Sequence, residues 1–264
     1  MRRLTPLLIP VLASVAILAG CAHGPRKIPP ETVLYKRAQD ALTVQNWKRA
    51  TGSLRSMIST YPFGKYATQG RLDLIYAYYR SNQTDEAAKQ ADDFVKENPA
   101  SPYAAYAQFM KGVAYANALQ RGPVDAIFRV DLSDRDPIDQ KQAYTAFSQL
   151  IKRYPHSRYA HQAKYWMVFV RNRMAQFNLN LARFYQKRKE WVAAAMHASD
   201  IVTRFSDTES AKPALRIMAR SYKALGETEL AADTRAWYDY NYGNKAHTPK
   251  PAPAASTAPT SRQP

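Results

Sequence analysis

Apolar positions along this chain recur at helical spacing. Trp47, Ala50, Leu54, Met57, Ile58 and Tyr61 trace one helical face, and Pro62 then ends it. The same ruler returns downstream. An offset of 37 gives Thr84, Ala87, Ala91, Phe94, Val95, Asn98 and Pro99; an offset of 93 gives Gln140, Ala143, Phe147, Leu150, Ile151, Tyr154 and Pro155. An offset of 144 gives Trp191, Ala194, Ala198, Ile201, Val202, Phe205 and Ser206, and one of 181 gives a degraded Thr228, Ala231, Arg235, Tyr238, Asp239. The alanine of this register, at 50, 87, 143, 194 and 231, sits where a small side chain lets two helices approach closely.

Each of these helices is preceded by another with its own stripe: Tyr35, Ala38, Leu42; Leu72, Ile75, Tyr76, Tyr79; Tyr106, Met110, Val113; Trp166 through Phe184; Leu215, Met218, Tyr222. Asn46, Ser101-Pro102, Asp136-Pro137 and Ser157 supply helix starts, and Gly226 a stop. No segment alternates as a strand does. The expected fold is all-α, a right-handed α-solenoid of about five tetratricopeptide-like helical hairpins over residues 31–242. Within it, 31–102 form the amino-terminal repeats, 103–156 a middle repeat carrying an inserted loop at 121–136, and 157–242 the carboxy-terminal repeats, whose first helix is lengthened and runs on through Arg183.

The two ends break the pattern. Residues 1–20 open with Arg2 and Arg3, continue as an apolar run from Leu7 to Leu18, and close on Ala19-Gly20 before Cys21. The run is too short for a stable span, which needs about 20 apolar residues, and reads as a secretory leader that is removed. Leu18-Ala19-Gly20-Cys21 resembles a bacterial lipobox, which implies acylation of Cys21, the only cysteine in the chain, and residues 21–30 as an acylated linker. Ala22 stands where Asp would signal inner-membrane retention, so the resemblance implies the outer membrane. Residues 243–264 are rich in Pro, Ala, Thr and Ser, cannot pack a core, and read as a disordered tail.

The net charge is +17, or +15 for 36 basic and 21 acidic side chains once Arg2 and Arg3 leave with the leader. That surplus favours anionic neighbours, and nucleic acid, lipid headgroups and acidic proteins all satisfy it. Candidate chemistry is sparse. There is no phosphate-binding loop, no nucleophile constellation and no metal spacing, since His156 and His161 do not share a helical face; no cofactor and no catalysis are expected. Two stretches stand out. Tyr61, Phe63, Lys65, Tyr66, Arg71 and Tyr78 combine aromatic area with cations, which suits an extended peptide, the alternative being that the rings of this stretch are all packing residues; Tyr76, Tyr78 and Tyr79 cannot share one face. The insertion containing Phe128, Asp131, Asp134, Arg135 and Asp136 is a self-neutralising loop, long enough to serve a function rather than merely connect.

These strings, in this order, resemble the BamD family of lipoproteins in the outer-membrane β-barrel assembly machinery. The likeness rests on the lipobox, Tyr61-Pro62-Phe63-Gly64, Leu72 to Tyr79, Asp131-Leu132-Ser133-Asp134-Arg135-Asp136-Pro137 and Trp191-Val192-Ala193-Ala194. The resemblance implies five tetratricopeptide repeats on the periplasmic face of the outer membrane, bound through a lipid anchor. Its implied partners are a barrel insertase's periplasmic domain, other assembly lipoproteins, and unfolded outer-membrane proteins. On that reading the amino-terminal repeats receive the substrate's terminal signal, and Arg183, Lys187, Arg188, Trp191 and His197 dock the insertase. Met196-His197 stands where the family commonly has Asn-Arg. The competing expectation is a basic lipoprotein that binds nucleic acid or anionic wall polymer, marked by steep salt dependence; nucleic acid is the disfavoured partner.

Overall fold

The computed structural model describes residues 28–116 and 137–243; Cys21, the 121–136 insertion with its five candidate residues, and the tail after Gly243 lie outside them. The described residues form ten α-helices and no strand. They are α1 (Glu31–Thr43), α2 (Trp47–Thr60), α3 (Ala67–Arg80), α4 (Thr84–Glu97), α5 (Ala104–Ala116), α6 (Ile138–Arg153), α7 (Arg158–Lys187), α8 (Trp191–Arg204), α9 (Ala211–Leu225) and α10 (Thr228–Tyr242). Consecutive helices pair as five antiparallel hairpins. Ala50, Ala87, Ala143 and Ala194 are fully buried and Ala231 nearly so, because each sits where its helix meets a partner.

A common turn closes four of the hairpins. Gln45, Asn82, Lys189 and Gly226 all have positive φ (55°, 59°, 61° and 84°), each two residues before the second helix begins. The left-handed residue reverses the chain, and the backbone N–H that follows it returns to a carbonyl of the first helix, as Asn46 to Ala41, Gln83 to Tyr78, Glu190 to Tyr185 and Glu227 to Tyr222. Asn46 also caps α2 by accepting from the Arg49 N–H at 3.1 Å. Only Gly226 announces this turn in the sequence. A side chain in this conformation costs about 1–2 kcal/mol, and glycine's extra unfolded-state freedom returns about half of that. Gln45→Gly is therefore expected to stabilise by about 0.5–1 kcal/mol, raising the melting temperature by roughly 1–4 °C. Asn82→Gly should be near neutral, since Asn tolerates the left-handed region; equal responses at both sites in thermal unfolding would refute the strain argument.

The helices lie in two layers. First helices touch one another across hairpins, α3 with α5, α5 with α7 and α7 with α9, while the second helices make their extensive contacts with chain neighbours only. Helices on the inside of a curve crowd together and those outside splay, so α1, α3, α5, α7 and α9 form the inner wall. The core is a succession of clusters shared between neighbouring hairpins. One is Leu54, Leu74 and Ala87, the next Ile75, Phe94 and Met110, the next Val113, Phe147 and Val170, and the last Leu179, Ile201 and Leu215. The lengthened helix α7, about 45 Å at 1.5 Å per residue, joins the last two. Arg171 ties it to the α8–α9 turn through Asp207 and the Arg204 carbonyl, and holds the Asp207 carboxyl below its usual range. No described helix is long and apolar enough to cross a membrane.

Candidate functional site

Helix α3 shows how the inner wall is built. It buries Ala67, Gly70, Leu72, Leu74, Ile75, Ala77 and Tyr78 because α2, α4 and α5 surround it. Outside that packing runs a line of residues, Gln69, Asp73, Tyr76 and Arg80, spaced at i, i+4, i+7 and i+11. Tyr78, expected on the binding surface, is therefore a core residue packed with Ala38, Leu54 and Ala87, and Tyr76, expected in the packing stripe, is the exposed one. Their roles are exchanged because three neighbouring helices leave so narrow a strip.

Asp73 is the centre of this line. It accepts from the Tyr35 hydroxyl at 3.2 Å and the Gln39 amide at 2.6 Å on α1, and from Gln69 at 2.8 Å. Burial, and then the Asp73 charge, push Tyr35 up to about 12, so its hydroxyl stays a donor. Tyr35 stacks on Tyr66, with centroids 4.5 Å apart. Further along, Tyr106 of α5 lies 5.7 Å from Tyr159 of α7. Burial drives Tyr106 to about 12, with Tyr159, Asp73 and Tyr76 contributing. A row of phenols thus runs from α1 to α7 past one carboxylate. At its rim, Arg80 lies 4.7 Å from the Trp47 ring, donates to the Tyr76 hydroxyl at 2.7 Å, and forms no ion pair among the described residues.

The Tyr61-Pro62-Phe63-Gly64 turn stands at the amino end of α3. Glu31 grips it: its carboxylate accepts the backbone N–H of Lys65 at 3.0 Å and of Tyr66 at 2.7 Å. Gly64 is required by this grip, since an added Cβ would lie 2.2 Å from the Glu31 carboxylate oxygen. The Tyr61 hydroxyl donates to the Pro29 carbonyl, and Lys65 sits 5.4 Å over the Tyr66 ring. Held this way, the turn leaves Phe63 97% exposed. Arg71 is not a free cation as expected: it bridges α3 to Glu97 of α4. Glu31, Asp73, Arg80 and Tyr159 are additions to the expected site, and Tyr35, Tyr76 and Tyr106, expected as packing residues of the first helices, join it.

The second candidate group, at the far end of α7, divides between two clefts. Arg183 and Lys187 line one of about 460 Å³ with Phe177, Leu181 and Phe184, and Arg188 lies 5.5 Å over Phe184. His197 belongs to the other, of about 430 Å³, with Asn178, Met196 and Asp200. Its ring stacks on Tyr185 at 5.5 Å and its Nδ1 is 3.2 Å from the Asn178 amide oxygen. Burial, partly offset by Asp200, lowers the His197 pKa, which favours the neutral imidazole. Trp191 is half-buried at the start of α8.

Residues 28–237 match the family model described as "YfiO: Outer membrane lipoprotein". Among curated relatives, the outer membrane protein assembly factor BamD of Vibrio cholerae is 34% identical over 87% of this chain and 96% of its own length. Proteins of the same name from Neisseria meningitidis serogroup A and Xylella fastidiosa are 34% and 32% identical, over 79% and 88% of this chain and 78% and 80% of their own lengths.

Proposed function

This chain belongs to the YfiO family of outer-membrane lipoproteins, and we propose that it is an adaptor in β-barrel assembly that receives unfolded barrel proteins and docks on the barrel insertase, without catalysing a reaction. A role in outer-membrane protein assembly follows from the family and from relatives named for it. The observation that carries the substrate role is the row of phenols along the inner wall, with exposed Phe63 before the amino end of α3 and Arg80 at its carboxy end. Tyrosine offers rigid ring area with one polar handle, and an extended peptide with alternating aromatic side chains needs that area at intervals.

The anchor is Cys21, whose thiol is acylated before the leader is cut and whose new amine is acylated after, holding the array at the periplasmic face. The Cys21→Ser chain is expected to keep its leader or to leave the membrane fraction. Unchanged mobility, cleavage and partition together would remove the lipid anchor from the proposal.

Docking to the insertase is assigned to the α7–α8 end. Arg183, Lys187 and Arg188 surround an apolar cleft, which suits an acidic patch flanking an apolar side chain. His197 contributes little charge, because its burial opposes protonation. A gentle detergent purification should recover the insertase and its associated lipoproteins with the wild-type chain. Arg188→Glu should reduce that recovery about tenfold or more, as a like-charge contact costs several kcal/mol. His197→Arg should raise it, because a guanidinium can stack on Tyr185 and still present its fork to the partner. Unchanged recovery with both variants would move the docking surface elsewhere.

A further inference from the structure

The last hairpin carries a basic surface that neither the substrate row nor the insertase contact uses. Helix α9 bears Lys212, Arg216, Arg220 and Lys223 and no acid, at i, i+4, i+8 and i+11, so the four cations form one stripe about 16 Å long. Arg216, Arg220 and Lys223 line a cleft of about 530 Å³ between α9 and α10, facing Arg235, Tyr238 and a single acid, Asp239. All five cations are exposed, and none forms an ion pair among the described residues. Rings accompany them. The Arg216 guanidinium donates to the Tyr238 hydroxyl and lies 5.0 Å from that ring, while Lys212 sits 5.8 Å over Tyr242.

We infer that this face binds the phosphate of anionic phospholipid headgroups and lays the carboxy-terminal end of the array against a membrane surface. Five unpaired like charges in one patch repel one another unless an anion neutralises them. The guanidinium forks of Arg216 and Arg220 match phosphate oxygens, and Tyr238 and Tyr242 carry the apolar-body, polar-tip chemistry that settles at a membrane interface. The chain's own tail is excluded as occupant: residues 244–264 contain Lys245, Lys250 and Arg262 and no Asp or Glu, so they hold no acidic side chain to answer the cations. An acidic protein is the weaker fit, because a protein hot spot places its charges around a desolvated anchor, whereas every cation here stands in solvent, four of them on a straight stripe. With Cys21 before α1 and this face on α9 and α10, the array has a membrane contact at each end. The inference rests on the proposed membrane location and on nothing proposed about substrate or insertase.

The test uses the Cys21→Ser chain from position 21 onward, which has neither leader nor acyl group, in sedimentation with vesicles of phosphatidylglycerol mixed into phosphatidylcholine and of phosphatidylcholine alone. Binding is expected to the first and not the second. Neutralising Arg216→Gln, Arg220→Gln and Arg235→Gln together should weaken it about a hundredfold, at roughly fivefold per cation. The matched loss of three exposed charges at Lys48, Arg49 and Arg55 should change it by less than about threefold, a locally applied field being screened within a Debye length. Arg216→Lys, Arg220→Lys and Arg235→Lys together should retain most of the binding, which separates lost charge from lost folding. Equal losses from the two neutralised sets would reduce the effect to net charge and overturn the site. So would equal binding to both vesicles. Displacement by inorganic phosphate or by a glutamate-rich peptide at an ionic strength at which chloride leaves the chain bound would assign the cleft to a free anion or an acidic protein instead.

Discussion

Phe147→Ala is expected to destabilise the array by about 3–5 kcal/mol, lowering its melting temperature by roughly 6–20 °C. Phe147 is fully buried between α5 and α7, packing with Val113, Leu150 and Ala163 and lying 6.2 Å from the Trp166 ring. Removing it opens a cavity at the step that joins the amino-terminal hairpins to the long helix. Its ring also explains Gly112: a Cβ at that position would lie 2.4 Å from Phe147. Gly112→Ala alone should therefore cost about 1–3 kcal/mol by overpacking. In the Phe147→Ala background the same change fills vacated space, so its cost should largely disappear, a coupling of about 1–3 kcal/mol in a double-mutant cycle. Additive losses in thermal or denaturant unfolding would mean that the helices separate to relieve the clash and that the close α5–α6 approach is not set by this pair.

The second helices were legible in the sequence down to their buried face and the first as helices only, for one physical reason. A helix on the outer layer buries a single stripe, such as Ala50, Leu54 and Met57 on α2, and a single stripe shows in periodicity. Helix α3 is enclosed on three sides, so Leu72, Ile75 and Tyr78 are all buried and periodicity loses its phase. That is why Tyr76 and Tyr78 were exchanged. A signal was present: Asp73 interrupts an otherwise apolar run, and Tyr76 and Arg80 follow it at three and seven residues, which places all three on one face. Glu31 had no such signal. Its contacts to Lys65 and Tyr66 span more than thirty residues of chain and exist only once the first hairpin meets the second. The hairpin turns were half legible, because Gln45 and Lys189 do in the left-handed region what glycine does at 226.

The substrate row yields the most functional prediction. Helix α3 is about 21 Å long, so a strand at 3.3 Å per residue needs six or seven residues to run from the Phe63 turn to Arg80. Alternate side chains of that strand face the same way, which brings every second residue to the Tyr35, Tyr76 and Tyr106 rings. A carboxylate at the strand's end then meets Arg80, whose guanidinium is held by Trp47 and Tyr76 and lacks an acidic partner among the described residues. A photocrosslinker at Phe63 or Tyr76 is expected to capture a barrel protein's terminal-strand peptide, and capture should fail when the last aromatic is removed. Arg80→Glu should weaken binding about tenfold to a hundredfold, the range for losing a hydrogen bond to a charged group. Amidating the peptide's end should cost the wild-type chain a similar factor and should not cost the Arg80→Glu chain, where it removes a like-charge contact. If amidation costs both chains alike, Lys65 or another cation holds the terminus; if it is harmless to both, no cation does. Crosslinks that form only beyond Ser157, or that ignore the terminal aromatic, would make the amino-terminal hairpins scaffold and place the receiving surface along α7.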